Sequence, residues 1–256
     1  MSLEILDAYW AAPPLARTLA TAIVLVSLSA YFGPLPFEWL YFDTRLLFKF
    51  MPEIWRPVTS FLVTRPKISL IMDPYFAYQY MKQLELANPK FPRKEDLVWY
   101  LMTVGAFIML INLNVFGGSL FFLDGLNIAM AYTANQDQRG QKTNFFFFTV
   151  PSQALPYCMI LMSLLVDSRP IPLQISGILA AHLHDFLTRL WPEFGGGQNY
   201  LQTPSFVSYL MQTPRILNRE YGTAIQQPDS GTSTGASTGS VLPDSWKTRG
   251  SGHRLG

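Results

Sequence analysis

One segment of this chain constrains its fold more than any other, because residues Leu97 to Leu113 contain no charged side chain. A helix needs about 20 mostly apolar residues to cross a bilayer. Charged residues make up only 14% of the 256-residue chain, against roughly 25% in a typical soluble domain. A soluble globule of this size could not cover its exterior with so few charges. The sequence therefore predicts an all-α polytopic membrane protein.

Five further segments bring the prediction to six membrane helices. The segment from Leu15 to Phe32 lies between Pro13-Pro14 and Gly33-Pro34, which are start and stop signals at the proper ends. The least apolar segment contains Asp73-Pro74, which predicts a broken or late-starting helix. The six helices are predicted near 15–32, 68–86, 97–113, 118–134, 149–166 and 172–190.

Positive charge is distributed unevenly between the two predicted sides of the membrane. Most of the 19 lysines and arginines lie on the side that holds both termini and the loops 82–96 and 135–148. Cytosolic loops carry such an excess, so we expect both termini in the cytosol. Residues 33–66 mix aromatic rings with cations, which is typical of the membrane–water interface. We therefore expect a large interfacial first loop.

The composition changes near residue 215. Residues 226–240 are mostly Gly, Ser, Thr, Gln and Asp, which cannot bury enough apolar surface to fold. We predict a membrane domain over 1–214 and a disordered cytosolic tail over 215–256. A net charge of +2 gives no support for nucleic-acid binding, and a single cysteine excludes a disulfide scaffold.

Four short motifs occur in an order that resembles one known family. They are WRPVTSF at Trp55–Phe61, YQYMKQLE at Tyr78–Glu85, GGGQNYLQTPSF at Gly195–Phe206 and GSGHRLG at Gly250–Gly256. Together they resemble the Derlin family, the rhomboid-like pseudoproteases of the endoplasmic reticulum (ER). The resemblance implies a rhomboid-like bundle of six transmembrane helices. The last motif, within 249–256, resembles the SHP box that binds the cytosolic AAA ATPase segregase.

The resemblance also implies a function and a set of partners. The protein would be a non-catalytic component of ER-associated degradation that helps to retrotranslocate misfolded proteins, using local bilayer thinning and a polar cavity. Its partners would be misfolded clients, membrane lipids, a membrane ubiquitin ligase complex and the ATPase, with no cofactor. The ATPase would bind the tail residues Gly250, Gly252, Arg254 and Leu255. The choice of clients stays open, as does the assembly, a homo-oligomer or a half-channel beside the ligase.

Two segments, the WRPVTSF motif and predicted helix six, contain candidate structural residues. Trp55 and Arg56 would hold the first loop in the membrane, with the guanidinium bonded to backbone carbonyls or phosphates and the indole at headgroup depth. Derlins carry Gly-x-x-x-Gly in helix six. Here Gly177 and Ala181 give a small-xxx-small variant, which still permits close helix approach. His182 would pack at the same contact between helices.

Several polar residues fall inside the predicted helices. A polar or ionisable group in a membrane helix is costly and usually faces protein or a water-filled cavity. One interpretation is hydrogen bonding between helices. The other is a hydrophilic cavity, open to the cytosol, that lowers the cost of moving polypeptide through lipid. The candidates are Asp73, Gln79, Asp124 and Asn127.

Two alternatives to the retrotranslocation role are an active rhomboid-type serine protease and a transporter. An active rhomboid-type serine protease would use Ser119 with His182, but rhomboid proteases contain Gly-x-Ser-Gly and Leu120 replaces the second glycine. A transporter would show internal repeats with matching broken helices, and the sequence shows none. The spacing of His182 and His184 matches no usual metal site. No catalytic and no metal-ligating residue is therefore predicted.

Overall fold

The computed structural model describes residues 7, 9–47, 53–138, 140–145, 148–167, 170–195, 197 and 199–211. The predicted tail, with Gly250, Gly252, Arg254 and Leu255, lies outside these residues. The described chain is mostly helical, with one antiparallel hairpin. Its main elements are α1 (Pro14–Phe32), α2 (Ser69–Ala87), α3 (Lys94–Val115), α4 (Leu123–Asn135), β1 (Lys142–Phe145), β2 (Phe148–Pro151), α5 (Leu155–Asp167), α6 (Ile171–Asp185) and α7 (Ser205–Met211).

Helix α4 lies at the centre of the bundle. It packs against α6, α2, α5 and α3, while α1 packs on α2 and α3 packs on α6. All of its side chains are buried except that of Tyr132, which is partly buried. The small residues Gly125, Ala129 and Ala131 let its neighbours approach closely. The core of the protein therefore surrounds α4.

The two ends of the bundle are built differently. At the first end, which we call the N-terminal end, the start of α1 meets the end of α2. The loop after α2 meets the ends of α4 and α6 there. At the opposite end the first loop folds over the start of α4 through three helical turns, Phe37–Trp39, Thr44–Leu47 and Arg56–Thr59.

Each of the six predicted segments contains a helix, but the helices differ in their fitness to cross a membrane. Among the described residues, α1 and α3 are long and apolar enough by length and composition, with mean hydropathies of 1.6 and 1.7 in their most apolar windows. Helix α2 has 19 residues but a more polar composition. Helices α4, α5 and α6 have only 13, 13 and 15 residues.

Three details of the predicted helices need correction. Helix α4 begins at Leu123 rather than near 118, because Gly117 and Gly118 adopt left-handed φ values of 78° and 90°. Helix α5 begins at Leu155 rather than near 149, because residues 148–151 form β2. Helix α2 is continuous through Pro74, since a proline near the first turn removes only an early hydrogen bond. After α6 the helix continues as a π-helical turn, Phe186–Leu190, and one α-turn, Trp191–Phe194.

Candidate functional site

Arg56 ties together the two ends of the first loop. Its side chain is buried, with 3% of the residue exposed. Nη1 donates a hydrogen bond to the carbonyl oxygen of Tyr41 at 2.7 Å, and Nε donates to Oε2 of Glu53 at 2.6 Å. The guanidinium also lies 5.0 Å from the centre of the Tyr41 ring. Of the two predicted partners, carbonyls and phosphates, the structure shows a carbonyl. Trp55 is half exposed.

The same loop is bonded to the entry of α4. The backbone N–H of Phe42 donates to the carbonyl of Leu120 at 2.9 Å, and that of Phe122 donates to the carbonyl of Ser60 at 3.0 Å. The Phe122 ring lies 5.3 Å from the Phe42 ring and 5.4 Å from the Phe61 ring. Displacing Arg56 would therefore disturb the start of the central helix as well as the loop.

Gly177 lies at a close backbone contact between α4 and α6. A Cβ atom placed on it would lie 2.2 Å from the carbonyl oxygen of Gly125. Ala181, one turn further along, is also buried. His182 is exposed, and its Nδ1 lies 3.3 Å from the hydroxyl of Tyr132 on α4. The predicted contact at Gly177, Ala181 and His182 is thus between α4 and α6, and its partner glycine was not identified from the sequence.

Ser119 and His182 do not form a nucleophile–base pair. The Ser119 hydroxyl donates to the carbonyl of Phe121 at 3.1 Å, in the loop before α4. His182 instead contacts Tyr132, in the last turn of α4. A helix of 13 residues is about 20 Å long, so these two contacts lie at opposite ends of α4. This arrangement gives no support to the protease alternative.

The four predicted cavity residues do not line one space. Asp73, Asp124 and Asn127 are buried where α2, α4 and the end of the first loop meet. There Nδ2 of Asn127 donates to the carbonyl of Asp73 at 3.3 Å, and Nε of Arg65 lies 3.1 Å from Oδ2 of Asp124. Gln79 is exposed and belongs elsewhere. Helix geometry explains the separation, because residues 73 and 79 face different directions on α2.

Gln79 lines a groove of about 470 Å³ between α2 and the β-hairpin. Helix α2 also contributes Gln83, and the hairpin contributes Thr143 and Asn144. The Phe76 and Phe145 rings stack at 6.2 Å between centroids and hold the hairpin against α2. We call this space the α2–hairpin groove; it contains one of the four predicted cavity residues, Gln79, and the rest of its lining is mostly apolar or aromatic.

A network of ion pairs lies at the N-terminal end of the bundle. Nζ of Lys90 lies 2.9 Å from Oδ2 of Asp137 and 3.1 Å from Oδ1 of Asp185. Arg189 pairs with the same two carboxylates, at 3.1 and 3.4 Å. Partial burial raises the pKa of Asp137, but the hydrogen bonds and charges of Lys90 and Arg189 outweigh it and hold this pKa below its usual value. The network was not found from the sequence, because its members come from separate elements.

Glu85, the last residue of the YQYMKQLE motif, caps α1. Its Oε2 accepts hydrogen bonds from the backbone N–H groups of Leu15 at 3.1 Å and Ala16 at 3.0 Å. The residue before α1 is Pro13, which provides no side-chain cap. A carboxylate is also favoured by the positive end of the helix dipole. The motif therefore joins the first two helices.

The two long apolar helices α1 and α3, beside short and tightly packed ones, suggest a helical membrane protein. The Der1-like family matches residues 12–205 of the chain. This chain therefore belongs to the Der1-like family.

Individual relatives agree with this assignment. The chain is 26% identical over 208 residues to Derlin-1 of Drosophila melanogaster, covering 79% of this chain and 82% of that protein. It is 29% identical over 241 residues to Derlin-1.2 of Zea mays, covering 90% and 94%. Identity to Derlin-1 of Homo sapiens is 26% over 211 residues, covering 80% and 78%. Derlins are known as inactive rhomboid-like proteins, and membership of the family suggests a role related to ER-associated degradation.

Proposed function

We propose that this protein is a non-catalytic component of ER-associated degradation that helps to retrotranslocate misfolded proteins out of the ER membrane. It would be a rhomboid-like bundle of six transmembrane helices with both termini in the cytosol. Membership of the Der1-like family supports the role. The cations Lys90, Arg93 and Arg189 at the N-terminal end of the bundle favour a cytosolic position for that end.

The proposed mechanism rests on one observation, that α5 is apolar, exposed and short. Its 13 residues and the 3-10 turn Ser152–Ala154 directly before them extend about 25 Å together, against roughly 30 Å of hydrocarbon in a bilayer. A short helix cannot correct this mismatch by tilting, so the bilayer next to it thins. Helix α4 is as short but is buried inside the bundle. The lipid-facing side chains of α5 are Tyr157, Leu161, Leu164 and Leu165.

The α2–hairpin groove lies beside the start of α5, whose Leu155 is one of its lining residues. The exposed side chains of Gln79 and Asn144 can bond to the backbone of a polypeptide that would otherwise meet lipid. An unsatisfied backbone polar group costs several kcal/mol in hydrocarbon, so these groups lower the barrier to passage. Thinned lipid and the groove would together form the path of a client.

The tail would couple this path to an energy source. We propose that Gly250, Gly252, Arg254 and Leu255 bind a cytosolic AAA ATPase, which pulls on clients marked by a ubiquitin ligase in the same membrane. Attachment to the membrane raises the effective concentration of a weakly binding tail. A peptide of residues 241–256 should capture the ATPase and its Leu255→Ala variant should not. Equal capture by both peptides contradicts this coupling.

The retrotranslocation role can be tested by client half-life in cells that lack the protein. We expect a misfolded membrane client to persist in these cells and wild-type protein to restore its degradation. The double variant Gln79→Leu/Gln83→Leu should restore it poorly, because it removes polar groups from the groove. The control Gln141→Leu changes an exposed glutamine outside the groove and should restore it fully. Unchanged client half-life in cells without the protein contradicts the role.

The thinning mechanism needs its own test. Inserting four leucines after Leu164 lengthens α5 by about 6 Å and keeps its lipid-facing side in register. We expect cryo-electron microscopy of the protein in lipid nanodiscs to show a thinner bilayer beside wild-type α5 than beside the variant. The variant should also degrade clients more slowly. A bilayer of full thickness beside wild-type α5 contradicts the mechanism, whatever the degradation rate.

A further inference from the structure

A second cavity, of about 520 Å³, opens at the N-terminal end of the bundle, away from the α2–hairpin groove. It lies between the start of α3, the end of α6 and the segment Asn199–Thr203, which we call the strap. The proposed retrotranslocation path does not use it. Its lining is mixed, with charged side chains, hydroxyl groups and the aromatic rings of Phe91 and Trp99.

The strap is fixed to α3 by specific contacts. The Thr203 hydroxyl donates to Oδ1 of Asp96 at 2.6 Å, and the indole N–H of Trp99 donates to the carbonyl of Leu201 at 3.2 Å. The Phe206 ring of α7 packs against the Trp99 ring, with 6.0 Å between centroids. These contacts hold the strap in place as one wall of the cavity.

The two carboxylates that line the cavity, Asp96 and Asp185, are already bonded to protein donors. Both oxygens of Asp96 accept from Arg93, and Oδ1 also accepts from Thr203. Oδ1 of Asp185 accepts from Lys90, and Oδ2 accepts from Gln136 and pairs with Arg189. The carboxylates therefore offer little to a ligand that carries a positive charge.

Several donors in the lining remain available. Within the part of the chain that the structure describes, Nη1 of Arg93, Nε of Arg189 and Nδ2 of Asn199 donate no hydrogen bond to protein. Asn199 uses its Oδ1 to accept from the N–H of Leu201, which holds its amide in place. Free guanidinium and amide donors beside carboxylates that are already bonded are the chemistry of an anion site.

Charge and position narrow the class of anion. The lining has three cations and two carboxylates, and Asp137, which pairs with Lys90 and Arg189 from outside it, brings the local charge to zero. Such a site suits one negative charge better than several. It also lies at the ends of the helices, with a tryptophan beside it, where lipid headgroups are found. We propose that the cavity binds the phosphodiester headgroup of a glycerophospholipid.

The proposal is tested with the full chain purified in detergent micelles. Added phosphatidylglycerol should bind saturably and raise the thermal midpoint, and water-soluble glycerophosphoglycerol should compete for the same site at higher concentration. Inorganic phosphate serves as a second probe, which tests whether the cavity binds free phosphate rather than a lipid headgroup. Stabilisation by inorganic phosphate with none by the phospholipid overturns the proposal, and so does the absence of any effect from the phospholipid.

Matched variants place the binding in the cavity. Asn199→Asp keeps the acceptor that holds the strap but removes the free donor, and Arg93→Gln removes an exposed cation. We expect each to weaken phosphatidylglycerol binding about tenfold. Arg45→Gln removes an exposed cation in the first loop and should leave binding unchanged. Equal affinity in all three variants and wild type overturns the proposal, and wild-type thermal midpoints without lipid verify that each variant folds.

Discussion

Replacing Gly177 by alanine should loosen the contact between α4 and α6. The new Cβ would lie 2.2 Å from the carbonyl oxygen of Gly125, whereas real Cβ atoms essentially never approach within 3.0 Å of another heavy atom. The obstacle is backbone inside a fully buried helix, so it cannot rotate away as a side chain would. The two helices must therefore separate by about 1 Å along an interface that is otherwise close-packed.

The expected cost follows from two opposing effects. Overpacking of this kind costs roughly 1–3 kcal/mol, while alanine gains about 1 kcal/mol over glycine in a helix interior. Because the obstacle is rigid, we place the net loss at about 1–2 kcal/mol in the free energy of unfolding. For a chain of this size each kcal/mol corresponds to roughly 2–4 °C. Gly177→Ala should then lower the thermal midpoint by about 2–8 °C.

The assay is thermal unfolding of the purified protein in one detergent, with two matched glycines as references. A Cβ on Gly125 would meet the carbonyl of Leu173 at 3.0 Å, so Gly125→Ala should have an intermediate effect. A Cβ on Gly105 in α3 would meet only the Phe61 ring at 3.4 Å, so Gly105→Ala should be neutral or stabilising. A thermal midpoint for Gly177→Ala equal to or above that of Gly105→Ala refutes the reasoning.

Three further predictions concern charged contacts. Arg56→Ala should lower stability by about 3 kcal/mol and abolish client degradation, because Glu53 and the Tyr41 carbonyl lose a buried partner; normal degradation at wild-type protein levels contradicts this. Glu85→Gln should lower the free energy of unfolding by about 1 kcal/mol and speed hydrogen exchange at the start of α1, because the charged cap is lost. Unchanged exchange there contradicts the capping role. The difference in thermal midpoint between wild type and Asp137→Asn should persist at neutral pH and shrink below about pH 4. A carboxyl with a lowered pKa stabilises the fold above its unfolded pKa and loses this contribution as pH falls through its folded pKa; a pH-independent difference contradicts the assignment.

Hydropathy predicted the long helices well and the region around α5 poorly. Helices α1 and α3 contain uninterrupted apolar runs, and their observed ends lie within a few residues of those predicted. The hairpin before α5 is also apolar, with Phe145 and Phe148 paired across its strands. An apolar run predicts burial but does not distinguish a strand from a helix. The stacking of Phe145 on Phe76, which stabilises the hairpin, is a tertiary contact that periodicity cannot reveal.

For the candidate sites, the sequence predicted single residues but not the groups that they contact. The motifs identified Arg56, Gly177 and the segment that ends in Glu85, but not the groups they contact. Those partners are separated along the chain, as Gly125 is from Gly177 and Leu15 is from Glu85. Knowing which helices are neighbours is necessary to pair them, and composition does not supply that information. Residues with local patterns were therefore found, while the Lys90 network, drawn from three elements, was not.

The distribution of polar contacts bears on how the bundle would combine stability with the proposed thinning of the bilayer. The buried polar groups Asp124, Asn127 and Arg56 bond within the protein and join the first loop, α2 and α4 into one rigid unit. The exposed polar groups of the α2–hairpin groove lie instead beside the short α5. In the proposed mechanism, rigidity on the first side would let the mismatch on the second deform the bilayer rather than the protein. Variants of the rigid unit should therefore lower stability and activity together, whereas Gln79→Leu, at an exposed residue of the groove, should lower activity alone.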